Sequence, residues 1–122
     1  MSYKLAASSW GQEELDAIQR VIKSEQFSMG AEVIAFEEAF ADWHNLKYGV
    51  MVNSGSSANL ISIASYFYKH DKPLKSGDEV IVPAISWSTT YYPLQQYGLK
   101  LKFVDVELNS FNLDVTKLEE AL

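Results

Sequence analysis

The residues of this 122-residue chain that could do chemistry are concentrated at 53–57 (NSGSS), where an apolar run gives way to helical spacing. The first N–H groups of a helix have no partner within it, and the helix dipole places about half a positive charge at that end. Gly55 would let the backbone turn sharply there, and the hydroxyls of Ser56 and Ser57 are donors that a phosphate oxygen accepts from. The segment therefore predicts a cradle for an anion that uses neither Lys nor Arg. An ordinary N-capped helix start fits the local sequence equally well.

A second group of hydroxyl and aromatic side chains spans Ala84–Tyr92, directly after a short apolar run. Ser86 or Ser88 is predicted to cap a helix that ends at Gly98. Trp87 would then lie at the carboxyl end of a strand, where ligands bind in open α/β sheets. Its indole could stack on a flat ring, and a tryptophan in the core fits the same sequence.

Composition excludes several classes of protein. The chain has 10 basic and 16 acidic residues, a net charge of −6, and no basic cluster of the kind that nucleic-acid binding requires. It contains no apolar run of about 18 residues and no secretory leader, so we expect neither a membrane span nor secretion. Without cysteine there is no disulfide or thiolate metal site, and we expect a cytoplasmic protein that holds no metal.

Helical and strand-like segments alternate along the chain in an order that predicts a layered α/β sheet with crossover helices. Ser9 followed by Gln12 predicts a capping box at the first helix. Helices are predicted over about Gly11–Ser24, over Ala31–Trp43, from the Ser/Gly turn to before Pro73, from Ser86 or Ser88 to Tyr97, and from Asp114; strands are predicted over Tyr48–Val52, Glu79–Val82 and Leu101–Val104. Because the chain ends within a helix without a capping signal, we expect it to be the first part of a longer protein.

With these motifs the chain resembles the fold-type I pyridoxal-phosphate enzymes, and within them the DegT/StrS-type nucleotide-sugar aminotransferases and dehydratases. The resemblance covers essentially all 122 residues and rests on FSMGAEVIAFEEAFADW, VNSGSSANL, GDEVIVPAISWSTT and LKFVDVELNSFNLD. The segments LAASSW and ISWSTTYYPLQQYGLKLKFVD are most similar to members that dehydrate GDP-4-keto-6-deoxy sugars at C3. The resemblance implies an N-terminal arm and the first part of the cofactor-binding large domain of a fold-type I transferase.

The same resemblance implies a cofactor, pyridoxal 5′-phosphate (PLP) or pyridoxamine 5′-phosphate (PMP), and a division of roles among the residues. Gly55, Ser56 and Ser57 match positions that hold the cofactor phosphate, and Trp87 matches the aromatic residue that stacks on the pyridine ring. Neither His44 nor His70 matches the catalytic position, so no catalytic residue is assigned, and the catalytic Lys or His is expected beyond Leu122. The substrate-side contacts it implies are Ser8, Trp10, Phe27, Met29 and Ser88.

The function implied is C3 dehydration of a GDP-4-keto-6-deoxyhexose in dideoxysugar or O-antigen biosynthesis, by a homodimer that uses an amino donor such as glutamate. Two alternatives remain open. One is a 4-aminotransferase that makes an amino sugar such as perosamine, in which a Lys would replace the catalytic His. The other is a truncated or non-catalytic binding module.

Overall fold

The computed structural model describes residues 6–122 and divides the chain into two compact units, the second of which spans Val52–Leu122. The first unit contains two of the helices and the second contains the remaining elements. No helix in this part of the chain has the length and apolar character needed to cross a bilayer. The elements are α1 (Gln12–Ser24), α2 (Ala31–Trp43), α3 (Gly55–Tyr68), β1 (Glu79–Pro83), α4 (Ser88–Gln96), β2 (Lys100–Val104) and α5 (Val115–Ala121).

The start of α1 differs from the predicted capping box. Gly11 is the N-cap, and its N–H donates to Oε2 of Glu14 at 2.6 Å. Glu14 stands three residues after the cap and offers a charged acceptor, which makes a stronger hydrogen bond than the neutral amide of Gln12 can. This N–H lowers the pKa of Glu14 below its ordinary value of 4.5. The prediction that Ser9 and Gln12 cap the helix is therefore wrong.

The helix α2 has the predicted bounds, but the strand predicted after it, Tyr48–Val52, is absent. Within residues 6–122 the chain forms one sheet, the two-stranded sheet of the second unit. No strand pairs with residues 48–52. The N–H of Met51 donates instead to Oε1 of Glu37 at 2.7 Å. Gly49 lies against α2 so closely that a Cβ there would be 2.6 Å from the carbonyl oxygen of Glu37. An apolar run becomes a strand only when a neighbouring strand takes its hydrogen bonds.

The second unit is built around a parallel pair of strands, β1 and β2, joined through α4. Their register places Glu79 opposite Lys100 and Pro83 opposite Val104. Both predicted strands are confirmed, and each is one residue longer than predicted. The core lies on the face covered by α3 and α4; its buried members are Val82, Leu94 and Leu99, and the partly buried residues packed on them include Ile63, Phe67, Leu74 and Tyr91.

Two local features fix the end of α4 and the start of α5. Gly98 has φ +76° and a Cβ at this position would collide with the side chain of Ser76, so glycine is required there. Asp114 caps α5 as predicted, and its Oδ1 accepts from the N–H of Thr116 at 2.9 Å. The two elements thus end and begin where the sequence places a glycine and an aspartate.

Candidate cofactor site

The first turn of α3 is capped by its own side chains. Ser54 is the N-cap, and its Oγ accepts from the N–H of Ser57 at 3.2 Å. The hydroxyl of Ser57 donates to Oδ1 of Asn53 at 2.6 Å and lies 3.2 Å from Oγ of Ser54. The N–H and the hydroxyl of Ser57 therefore already have partners within the turn.

The polar groups of Gly55 and Ser56 are the donors left at this helix end. Among residues 6–122, no acceptor pairs with the amides of Gly55 and Ser56 or with the hydroxyl of Ser56. Gly55 is not among the glycines with positive φ, and a Cβ there would meet no protein atom within 4 Å. The turn at residue 55 therefore does not require the conformational freedom of glycine. Its contribution is clearance, because it leaves the approach to these amides open.

Trp87 lies at the start of α4, four residues after the end of β1. Its side chain is 76% exposed, which removes the interpretation of Trp87 as a core residue of this unit. Trp87 itself is the N-cap of α4, so the prediction that Ser86 or Ser88 caps this helix is wrong. The Oγ of Ser86 is instead 2.8 Å from Oγ1 of Thr90, and a side chain engaged there does not reach the helix amides. Ser88 is the exposed first residue of α4.

The N-terminal parts of α3 and α4 are joined by one side chain. Nδ2 of Asn59 donates to the carbonyl oxygen of Thr89 at 3.1 Å. Asn59 lies one turn after Gly55, and Thr89 lies two residues after Trp87. The structure therefore brings the phosphate-cradle residues and Trp87 to neighbouring helix starts. Sequence reasoning overlooked Asn59, although an asparagine inside an apolar helix is a signal that it has a specific partner.

The chemistry of this site is binding and orientation. Residues 53–60 and 84–97 contain no Lys, Arg, His, Asp or Glu, so an anion there would be held by amides, hydroxyls and the α3 dipole. The two carboxyls whose pKa is lowered, Glu14 and Asp114, are helix caps outside these segments. The free donors fit a phosphate monoester, and the exposed indole fits a flat ring beside it.

The other predicted substrate-side residues belong to the first unit. The backbone N–H of Trp10 donates to Oγ of Ser8 at 3.4 Å, and the indole is 65% exposed. Phe27 lines an apolar cavity of about 380 Å³ with Val21, Val33 and other residues of α1 and α2. Met29 is 87% exposed and has a positive φ of 51°. The four side chains are thus accessible, and Phe27 and Met29 share the turn between α1 and α2.

Comparison with known proteins agrees with the fold and the motifs. The model of the DegT/DnrJ/EryC1/StrS aminotransferase family matches residues 8–122. GDP-4-keto-6-deoxy-D-mannose 3-dehydratase of Yersinia pseudotuberculosis is 52% identical over 122 residues, which are 100% of this chain and 31% of the relative. The structure of the E. coli enzyme of that name with bound hydrated PLP is 54% identical and has a TM-score of 0.93, with 99% of this chain and 31% of that chain covered.

A mutant of GDP-4-keto-6-deoxymannose-3-dehydratase with bound GDP-perosamine is also 54% identical, with a TM-score of 0.92 over 99% of this chain and 31% of that chain. The chain thus spans about 31% of the length of the relatives it matches. It belongs to the DegT/DnrJ/EryC1/StrS aminotransferase family.

Proposed function

We propose that residues 1–122 form the N-terminal arm and the first part of the cofactor-binding large domain of an enzyme that removes the C3 hydroxyl of a GDP-4-keto-6-deoxyhexose. The observation that supports this most is the 52% identity to GDP-4-keto-6-deoxy-D-mannose 3-dehydratase over the whole chain. The product would be a precursor of a dideoxysugar, of the kind used in O-antigen. The catalytic Lys or His is proposed to lie beyond Leu122; the chain's span of about 31% of the relatives' length and the absence of Lys and His from the cofactor-site segments support this.

The proposed cofactor is PLP or PMP, bound at the starts of α3 and α4. The amides of Gly55 and Ser56 and the hydroxyl of Ser56 would hold its phosphate, and Trp87 would cover one face of its ring. Ser57 would support this arrangement by keeping the capped turn in place. When bound, the cofactor supplies an electron sink, and the residues of this chain fix its position and keep water from the covered face.

The proposed substrate-side residues are Ser8, Trp10, Phe27, Met29 and Ser88. Their exposure supports this assignment, because a nucleotide sugar offers an aromatic base, hydroxyls and phosphates that indole, phenyl and hydroxyl groups can contact. We further propose a cytoplasmic homodimer with glutamate as the amino donor. The 16 acidic residues against 10 basic ones argue against nucleic acid as a partner.

The second candidate function is 4-amination of the same class of sugar, which the aminotransferase description of the family supports. The experiment that separates the two uses the complete protein that contains this chain, with PLP, glutamate and GDP-4-keto-6-deoxymannose. A dehydratase yields a sugar that has lost the C3 oxygen, whereas an aminotransferase yields a 4-amino sugar that keeps it. Mass spectrometry of the product distinguishes them, and the reaction without glutamate is the control. Formation of neither product would contradict both functions.

A further inference from the structure

The helix α4 contains a proline in its interior, and α3 supplies the hydrogen bond that this proline removes. In an α-helix the N–H of each residue donates to the carbonyl four residues earlier, and proline has no N–H. Pro93 therefore cannot donate to the carbonyl oxygen of Thr89. Asn59 donates to that oxygen instead, from 30 residues earlier in the chain, with a distance of 3.1 Å.

Pro93 is embedded in the core of its unit. It is less than 2% exposed and precedes Leu94, which is also buried. The carbonyl of Thr89, which the proline leaves without its usual donor, is the one that accepts from Asn59. An asparagine amide suits this carbonyl because it carries two N–H donors on a short side chain.

Two polar contacts then fix the start of α4 within its unit. The hydroxyl of Tyr91 donates to the carbonyl oxygen of Pro83 at 2.8 Å, which ties α4 to the end of β1. Asn59 ties the same helix to α3 through Thr89. Because Trp87 is the N-cap of α4, the position of this helix start sets the position of its backbone, from which the indole projects.

We propose that Asn59, together with Pro93, is a positioning residue that sets the distance between the amides of Gly55 and Ser56 and the indole of Trp87. This inference rests on the proposed function, since that distance matters for a ligand with a phosphate at one end and a flat ring at the other. The Asn59 contact is exposed, so water can satisfy the Thr89 carbonyl when the amide is lost. Its loss therefore affects geometry more than folding.

The test is Asn59→Leu in the complete protein, because leucine has a similar size and lacks the donor. We expect the dissociation constant for PMP to rise about fivefold to tenfold, because a displaced start of α4 weakens about one net contact between the protein and the cofactor. The circular dichroism of the bound cofactor should change, because the indole stands differently against the ring. The melting temperature of the apoprotein should stay near that of the wild type. Asn109→Leu is the control, since Asn109 is exposed and forms no side-chain hydrogen bond within residues 6–122.

Pro93→Ala is the variant used in the second part of the experiment. This substitution restores an N–H that can donate to Thr89, so Asn59→Leu should change cofactor binding and dichroism less in this background than alone. Equal effects in both backgrounds would overturn the pairing of the two residues. Unchanged affinity and dichroism in Asn59→Leu, with or without a loss of stability, would overturn the positioning role. If the wild-type protein bound no PMP, both the proposed function and this inference would be contradicted. If the wild type binds PMP and Asn59→Leu binds it equally well, only the inference is contradicted.

Discussion

At the scale of single residues, the two adjacent serines of the proposed phosphate cradle, Ser56 and Ser57, have different roles. The hydroxyl of Ser57 donates to Asn53, whereas no partner within residues 6–122 engages that of Ser56. A hydroxyl already engaged in a cap must give up one hydrogen bond to make another, so its net gain on meeting a phosphate is small. The direct contact is therefore assigned mainly to Ser56, and the shape of the turn to Ser57.

Ser56→Ala should weaken binding of PMP to the complete protein about tenfold to a hundredfold, because a hydrogen bond to a charged phosphate contributes roughly 1.5–3 kcal/mol. Ser57→Ala should weaken it less, and the double variant the most. Spectral titration measures the three constants. Ser62→Ala is the matched control, as this exposed serine lies on α3 beyond the first turn. If the double variant bound PMP with wild-type affinity, the assignment of these serines to a phosphate site would be contradicted.

The exposed indole of Trp87 carries the second residue-scale prediction. Trp87→Ala should shift the absorbance of the bound cofactor and raise its dissociation constant roughly twofold to tenfold, since stacking of aromatic rings contributes about 0.5–1.5 kcal/mol. Trp87→Phe should recover part of the loss. Trp43→Ala, at an 83% exposed tryptophan at the end of α2, controls for removal of an indole in general. An unchanged spectrum in Trp87→Ala would mean that the indole does not meet the ring.

At the scale of elements, the sequence predicted several features that depend on neighbouring residues, although the predicted caps of α1 and α4 were wrong. Gly98 and Asp114 mark where α4 ends and α5 begins, because a left-handed turn and an N-cap are local requirements. The run Tyr48–Val52 was mispredicted since strand formation depends on a partner that no local pattern reveals. The same holds for the site: the hydroxyls and Trp87 stand out in the sequence, but the contact of Asn59 with Thr89 depends on how two helices pack.

The cap of α5 gives a pH dependence whose sign follows from its hydrogen bonds. The hydroxyl and N–H of Thr116 donate to Asp114 and lower the pKa of its carboxyl below the ordinary value of 3.8. The ionised form is thus favoured in the folded state, and its contribution is present above pH 3.8 and lost as the pH falls through the lower folded value. Asp114→Ala should destabilise α5 near neutral pH and make little difference in acid.

Amide hydrogen exchange in α5 measures this effect as a function of pH. Asp114→Asn is the control, because asparagine caps a helix about as well as aspartate and does not titrate in this range. We expect it to protect α5 near neutral pH and to show no loss of protection attributable to residue 114 in acid. A deficit in Asp114→Ala that stays constant from neutral pH to below 3.8 would contradict the assignment of the cap to the ionised carboxyl.

At the scale of the whole molecule, many large apolar side chains of the described elements are left exposed to solvent. Within residues 6–122 the buried hydrophobic residues are few, namely Ala41, Val82, Leu94, Leu99, Val104 and Val106. Large side chains such as Phe36 and Ile61 are about half exposed on helices, and Phe103 is 56% exposed on β2. Within residues 6–122 the sheet has two strands, so each strand has one edge without a hydrogen-bonded neighbour. Such edges and patches favour association with further strands or chains.

The 122-residue chain purified alone should therefore self-associate and bind an apolar dye, whereas the complete protein should do neither to the same extent. The physical reason is that the remaining two thirds of the proposed enzyme would cover the open edges and exposed aromatics, which this third of the relatives' length leaves in water. Light scattering after size-exclusion chromatography and dye fluorescence measure the two properties. Phe103→Lys, which replaces a 56% exposed aromatic side chain of β2 by a charged one, should reduce self-association of the isolated chain. A monodisperse chain that melts cooperatively would instead favour the binding-module alternative, because a domain stable by itself must bury enough apolar surface to offset its conformational entropy.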